Sequence, residues 1–115
     1  MTYHEKGKII QNGVENSTIT LYTVPVGFVF VLTALNLQNT CVSGNGQVFI
    51  SVNGLDIAGN LGVALQNPIL SVVLVKPVVF PAGSIFRLRS ELAGALAQGA
   101  LYGYESDNVA LFQGN

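Results

Sequence analysis

The chain has 115 residues, half of them apolar, a mean hydropathy of +0.50 and a net charge of −1. That length suits one domain that buries about two-thirds of its unfolded surface, and its scattered Lys and Arg form no basic stripe for contact with nucleic acid. Charged residues make up 10 % of the chain, against about 25 % in an ordinary soluble domain, so much of the surface is expected to lie against other subunits, where charge is depleted.

In chain order, Met1 to Gly7 is expected to be an N-terminal arm. Its charges are followed by no apolar segment, so no secretory signal is expected and synthesis in a cytoplasm is. A first short strand, Lys8 to Gln11, is closed by Asn12-Gly13. Ser17 to Val24 alternates, with Ile19 and Leu21 facing one way and Thr18, Thr20 and Tyr22 the other. Next comes Tyr22-Thr23-Val24-Pro25-Val26-Gly27-Phe28-Val29-Phe30, whose Pro-x-Gly is repeated at Pro81-Ala82-Gly83-Ser84-Ile85-Phe86. Pro presets its angle for the second position of a tight turn and Gly accepts positive φ, so each copy launches a strand.

Phe28 to Asn39 is expected to be the longest strand. Val29, Val31, Thr33, Leu35 and Leu37 share one face; Phe30, Leu32, Ala34, Asn36 and Gln38 share the other. Its first half is apolar on both sides and its second half turns polar on one. Ser43-Gly44-Asn45-Gly46 signals a hairpin, and Val48 to Val52 returns to Asn53-Gly54. Leu55 to Asn67 reads as a long loop, with room for a short strand over 62–65. Ile69 to Val75 is a β-branched strand that Lys76-Pro77 either breaks or places at an edge. Its surroundings, 68–80, hold the longest apolar run, too interrupted and too short for the roughly 20 residues of a membrane span.

Val78 to Phe80 leads into the second Pro-x-Gly turn. Ile85 to Glu91 puts Phe86 and Leu88 inward and Arg87 and Arg89 outward. Ala93 to Ala97 fits a helical turn or a loop. Ala100 to Ser106 is the last strand, with Tyr102 and Tyr104 on one face. The tail, Asp107 to Asn115, either docks through Val109, Leu111 and Phe112 or frays. These elements make an all-β fold, an antiparallel β-sandwich of about eight strands, jelly-roll-like. Its expected core is Ile19, Leu21, Val29, Val31, Ile50, Val72, Leu74, Phe86, Leu88 and Leu101.

Little in the chain equips it for catalysis. His4, the single histidine, lies in the arm, where nothing holds it in place for proton transfer. Cys41 is alone, which excludes an intrachain disulfide, and reads as a small buried hydrophobe. Glu105 and Asp107 straddle a strand end and read as solvated. Asn53, Asp56 and Asn60 share a loop but offer one carboxylate, too few for a tight Ca²⁺ site. One Cys and one His exclude a zinc centre, and no phosphate-cradling Gly motif is present. No cofactor and no metal are expected. The remaining candidates are aromatic: Tyr22, Phe28, Phe30, Phe49, Tyr102 and Tyr104, which can anchor an interface or stack on a sugar ring, or else cover the core.

The Tyr22-Thr23-Val24-Pro25-Val26-Gly27 stretch, Leu35-Asn36-Leu37-Gln38-Asn39-Thr40, Ser51-Val52-Asn53-Gly54, Pro81-Ala82-Gly83 and Gly103-Tyr104-Glu105 together resemble small virion proteins of tailed bacteriophages. The likeness spans about residues 8 to 106. Val26 departs from the Ala usual in that family, which leaves the turn intact. The resemblance implies a structural virion protein, not an enzyme: a capsid decoration (cement) protein bridging major capsid protein subunits, itself a homo-oligomer, commonly a trimer. The rival it leaves open is a receptor- or glycan-binding module of a tail tip or fibre.

Overall fold

A computed structural model of the chain describes residues 5–15, 17–41, 45–63, 69–90 and 95–107. The described residues form eight strands: β1 (Glu5–Glu15), β2 (Thr18–Thr23), β3 (Val29–Cys41), β4 (Asn45–Val52), β5 (Leu55–Val63), β6 (Ile69–Phe80), β7 (Ile85–Ser90) and β8 (Ala95–Ser106). All neighbouring strands are antiparallel, in two four-stranded sheets ordered β1-β8-β3-β6 and β2-β7-β4-β5. The first strand pairs the last, the second the seventh, the third the sixth and the fourth the fifth. That nesting is a long hairpin folded over on itself, the jelly-roll-like sandwich expected from the strand count.

The sheets close on a core containing Phe30, Leu32, Leu35 and Leu37 of β3, Val48 and Ile50 of β4, Phe86 and Leu88 of β7, and Leu101 of β8. Ile19, Val72 and Leu74 pack against it as expected. Val29 and Val31, expected in the core, are buried outside this cluster. The reason is a bulge at Thr33: Leu32 pairs with Gly103 and Ala34 with Tyr102, leaving Thr33 without a partner. One inserted residue flips the alternation. Phe30 and Leu32 therefore share the inner face with Leu35 and Leu37, while Ala34, Asn36 and Gln38 turn outward. Thr33 Oγ1 donates to the Tyr102 carbonyl at 3.0 Å, tying the bulge down. A second irregularity between Thr20 and Tyr22 places both Leu21 and Tyr22 against the core, so Tyr22 does not share the outward face of Thr20.

Two glycines of β8 allow this packing. A Cβ on Gly99 would meet Leu88 Cδ1 of the opposite sheet at 2.9 Å. A Cβ on Gly103 would run into the Val31 carbonyl oxygen at the bulge and lie 3.1 Å from Phe30 Cζ.

Both Pro-x-Gly segments are turns that lead into strands, with φ of 85° at Gly27 and 86° at Gly83. The bonds that close them, Phe28 N–H to Pro25 O and Ser84 N–H to Pro81 O, both 3.2 Å, put proline at the first position and glycine at the third. The second position expected for proline belongs to Val26 and Ala82. The two turns dock together, since Val24 donates to Ser84 O at 3.0 Å and accepts from Gly83 N–H at 2.9 Å. Asn53-Gly54 joins β4 to β5 with positive φ at both residues, the two-residue hairpin geometry that Asn-Gly favours.

Several boundaries depart from the sequence reading. β1 runs straight through Asn12-Gly13, because pairing with β8 continues from Glu5↔Ser106 to Glu15↔Leu96 and outweighs the local turn preference. Glu5 to Gly7 thus belong to β1 rather than to an arm, and Met1 to His4 lie outside the described residues. Leu55 to Val63 is a strand along β4, not a loop: its small residues fit a pleat, and the ring of Phe49 covers Gly59. β8 begins at Ala95 rather than Ala100, paired on both sides. Lys76-Pro77 does not end β6. Among the described residues β6 pairs only with β3, so the amide that proline lacks sits at a sheet edge, inside an irregularity between Val73 and Val78. Of the hairpin signal Ser43-Gly44-Asn45-Gly46, the last two residues are already in β4, and of the helical turn or loop expected at Ala93 to Ala97, the last three are in β8, because pairing with neighbouring strands overrides the local preference. Positions 43–44, 93–94 and the tail from 108 onward lie outside the described residues.

Candidate functional site

The six aromatic candidates fall into different environments. Phe30 has 0 % of its surface exposed and makes edge-on contacts with Phe86 and Tyr22 at ring-centroid distances of 5.8 and 5.0 Å. Tyr22 belongs to the same aromatic cluster, which Phe80 extends through Phe86 at 4.9 Å. Phe28 is half-buried in the first turn. Phe49 is half-buried on the outer face of its sheet, with the Arg89 guanidinium 4.3 Å from its ring centroid. Arg89 also donates to both carboxylate oxygens of Asp56 at 3.1 Å, so Asp56 faces an arginine. Asn53, grouped with Asp56 in the sequence, has its Oδ1 on the Ile85 N–H at 2.9 Å.

Tyr102 and Tyr104 do share a face, as read from the sequence. It is the outer face of the β1-β8-β3-β6 sheet. Tyr104 lies opposite Gly7 and Val31; Tyr102 lies opposite Ile9 and Ala34.

Glu105 was expected in solvent and is instead 7 % exposed. It pairs with Phe30, which turns its side chain inward, and the Tyr22 hydroxyl reaches across from the other sheet to donate to it. Burial pushes the Tyr22 hydroxyl pKa well above its ordinary value, and the bond to Glu105 and that group's negative charge push it the same way. The pair joins the two sheets by a polar contact beside the apolar cluster. The sequence hid it, because the turn of Tyr22 toward the core depends on the irregularity in β2.

Beside Tyr102 the same outer face is hollowed into an open groove of about 440 Å³. Gln11 of β1 and Asn36 of β3 flank Ala100 of β8, and Gln98 faces Gln38 in the next row. Asn36 Nδ2 donates to Ser71 Oγ at 3.0 Å. Asn36 and Gln38 figured in the sequence only as a strand turning polar; the groove needs three strands in register and could not be read there. Among the described residues, no three His, Cys, Asp or Glu side chains come together as a metal site.

No protein-family model and no curated protein matches this chain. Solved structures do. A pentameric capsid protein isolated from metagenomic phage sequences is 25 % identical over 83 % of this chain, with a TM-score of 0.47; the match covers 61 % of that protein, less than two-thirds of its length. The particle protein of the extra small virus of the prawn Macrobrachium rosenbergii is 13 % identical, covering 91 % of this chain and 80 % of that one at a TM-score of 0.49. A Bacillus endospore appendage protein from disulfide-linked pili is 9 % identical, covering 91 % and 87 % at a TM-score of 0.38.

Proposed function

We propose that the chain is a structural virion subunit that works by being buried against copies of itself and against coat protein. The observation that carries this reading is β6. This edge strand exposes Val73 by 81 %, Val75 by 103 % and Val78 by 43 %, with Lys76 its one charged residue. Edge strands that face water are usually guarded by charge. Ile9, on the edge strand at the other side of the same sheet, is 67 % exposed. A subunit with apolar side chains at both edges of one sheet suits head-to-tail contact around a closed ring.

Within that reading, the resemblance of the Pro-x-Gly, Ser-Val-Asn-Gly and Gly-Tyr-Glu segments to small phage virion proteins supports the more specific role of capsid decoration. The protein bridges neighbouring coat subunits, adds buried area between them and so opposes pressure from the packaged genome. The same resemblance supports three copies per assembly.

Light scattering after size exclusion tests the assembly. Three copies of the 12.1 kDa chain are expected; another closed multiple replaces the trimer but keeps the subunit role, and a monomer at micromolar concentration overturns it. Val73→Lys with Val75→Lys should break the assembly without unfolding the subunit. For the decoration role, particles lacking the protein should assemble and then burst at a lower temperature. Equal burst temperatures with and without the protein reject it.

A further inference from the structure

We propose that the groove beside Tyr102 binds a neutral oligosaccharide. Its wall is made of amides: Gln11, Asn36, Gln38 and Gln98 surround Ala100, and Tyr102 closes one end. An amide presents a carbonyl acceptor and an N–H₂ donor side by side. A sugar presents adjacent hydroxyls, each both donor and acceptor, so neighbouring hydroxyl pairs satisfy amides where an apolar or purely acceptor ligand does not. The described residues lining the groove include no Lys, Arg, Asp or Glu, so none of them offers a charged ligand an opposite charge in place of its hydration.

The geometry agrees with the chemistry. Gln11 and Asn36 stand on opposite sides of Ala100, whose methyl leaves the floor low between them. The bond from Asn36 Nδ2 to Ser71 Oγ fixes one amide before any ligand arrives, which lowers the ordering cost of binding. The half-buried Tyr102 lies beside this floor, where its ring can meet the apolar face of a pyranose. The groove is open along the sheet, with a volume of about 440 Å³ in the range of small-ligand sites. That suits one or two residues of a chain crossing the sheet better than an engulfed monosaccharide.

The amides come from β1, β3 and β8, and the Thr33 bulge is what turns Asn36 and Gln38 to the side of Tyr102. The groove adjoins the β6 contacts, since Ser71 holds Asn36 and Val73 shares a row with Ala34 and Tyr102, so oligomeric state and sugar binding are read separately for each variant.

The test uses the full chain with maltotetraose, cellotetraose and chitotetraose as probes, and tetragalacturonate as the charged control. Saturation-transfer NMR should show transfer to at least one neutral tetrasaccharide, with weaker or no transfer to the galacturonate. Tyr102→Ala and Gln38→Ala should each raise Kd by about tenfold, the loss of one stacking or hydrogen-bonding partner, while Thr20→Ala on the opposite sheet leaves Kd unchanged. Thermal melting and light scattering of each variant separate loss of binding from loss of fold or assembly. Gln38→Glu, which keeps the size and adds a charge, checks the neutral preference if Tyr102→Ala melts early. No transfer from any neutral probe overturns the proposal. So does transfer that survives Gln38→Ala and Tyr102→Ala unchanged, and so does a preference for the galacturonate.

Discussion

Gly103→Ala tests the bulge on which both the core and the groove depend. A methyl at this position meets backbone, not a side-chain tip that can swing aside. It would lie inside the shell of the Val31 carbonyl oxygen, 3.0 Å from the Val31 carbonyl carbon and 3.1 Å from Phe30 Cζ. Comfortable carbon–carbon contact is about 3.5 to 4.0 Å. β3 must therefore move away from β8, while β1 holds β8 on its other side and Phe30 is fully buried. Overpacking of this kind costs about 1 to 3 kcal/mol. Straining the Thr33 Oγ1 bond to the Tyr102 carbonyl adds about 1 kcal/mol. A total near 3 kcal/mol should lower Tm by about 12 °C, at about 4 °C per kcal/mol for a domain of this size. Gly7→Ala is the matched control, because a Cβ there meets nothing within 4 Å; its Tm should stay within about 2 °C of wild type. Melting is followed by circular dichroism at one protomer concentration, since assembly makes Tm concentration-dependent. If Gly103→Ala melts with Gly7→Ala, the close approach at the bulge is refuted, and with it the facing of Asn36 and Gln38.

Leu88→Ala empties a fully buried site over Gly99 and should cost about 2 to 5 kcal/mol by chemical denaturation; a loss below 1 kcal/mol means the two sheets do not interlock there. Tyr22→Phe removes the hydroxyl that reaches Glu105 and should cost about 1 to 3 kcal/mol, the penalty of leaving a buried acceptor short of a donor. Its pH dependence has a definite sign. The folded hydroxyl pKa is raised above the ordinary 10.0, so its contribution is complete below pH 10 and falls as pH rises past that value, where the unfolded chain releases the proton first. The gap between wild type and Tyr22→Phe should narrow above pH 10; a constant or widening gap contradicts the buried pair. Asp56→Ala breaks a two-pronged but part-exposed contact with Arg89 and should cost less than about 1 kcal/mol, less still in high salt.

The strand count, the antiparallel sandwich and the two Pro-x-Gly turns follow from local rules: alternation with period two, and the positive φ that glycine accepts at Gly27 and Gly83. Those rules act within a few residues, so the chain displays them directly. The same locality explains the misses. Asn12-Gly13 carries turn chemistry and sits inside a strand, because eleven paired residues with β8 outweigh two local preferences. Leu55 to Val63 lacks bulky alternation and is a strand because β4 lies beside it. Strict alternation assigns Val29 and Val31 to the same face as Leu35 and Leu37; one unpaired residue at Thr33 separates them, and a bulge exists only relative to a partner strand. Tyr102 and Tyr104 could be placed on one face from their spacing, whereas the burial of Glu105 against Tyr22 and the meeting of Gln11, Asn36, Gln38 and Gln98 around Ala100 needed strands far apart in the chain to be set in register. Period and turns are properties of short segments, so they are legible along the chain. Register arises only when distant strands pair, and it sets which side of each strand meets core or solvent.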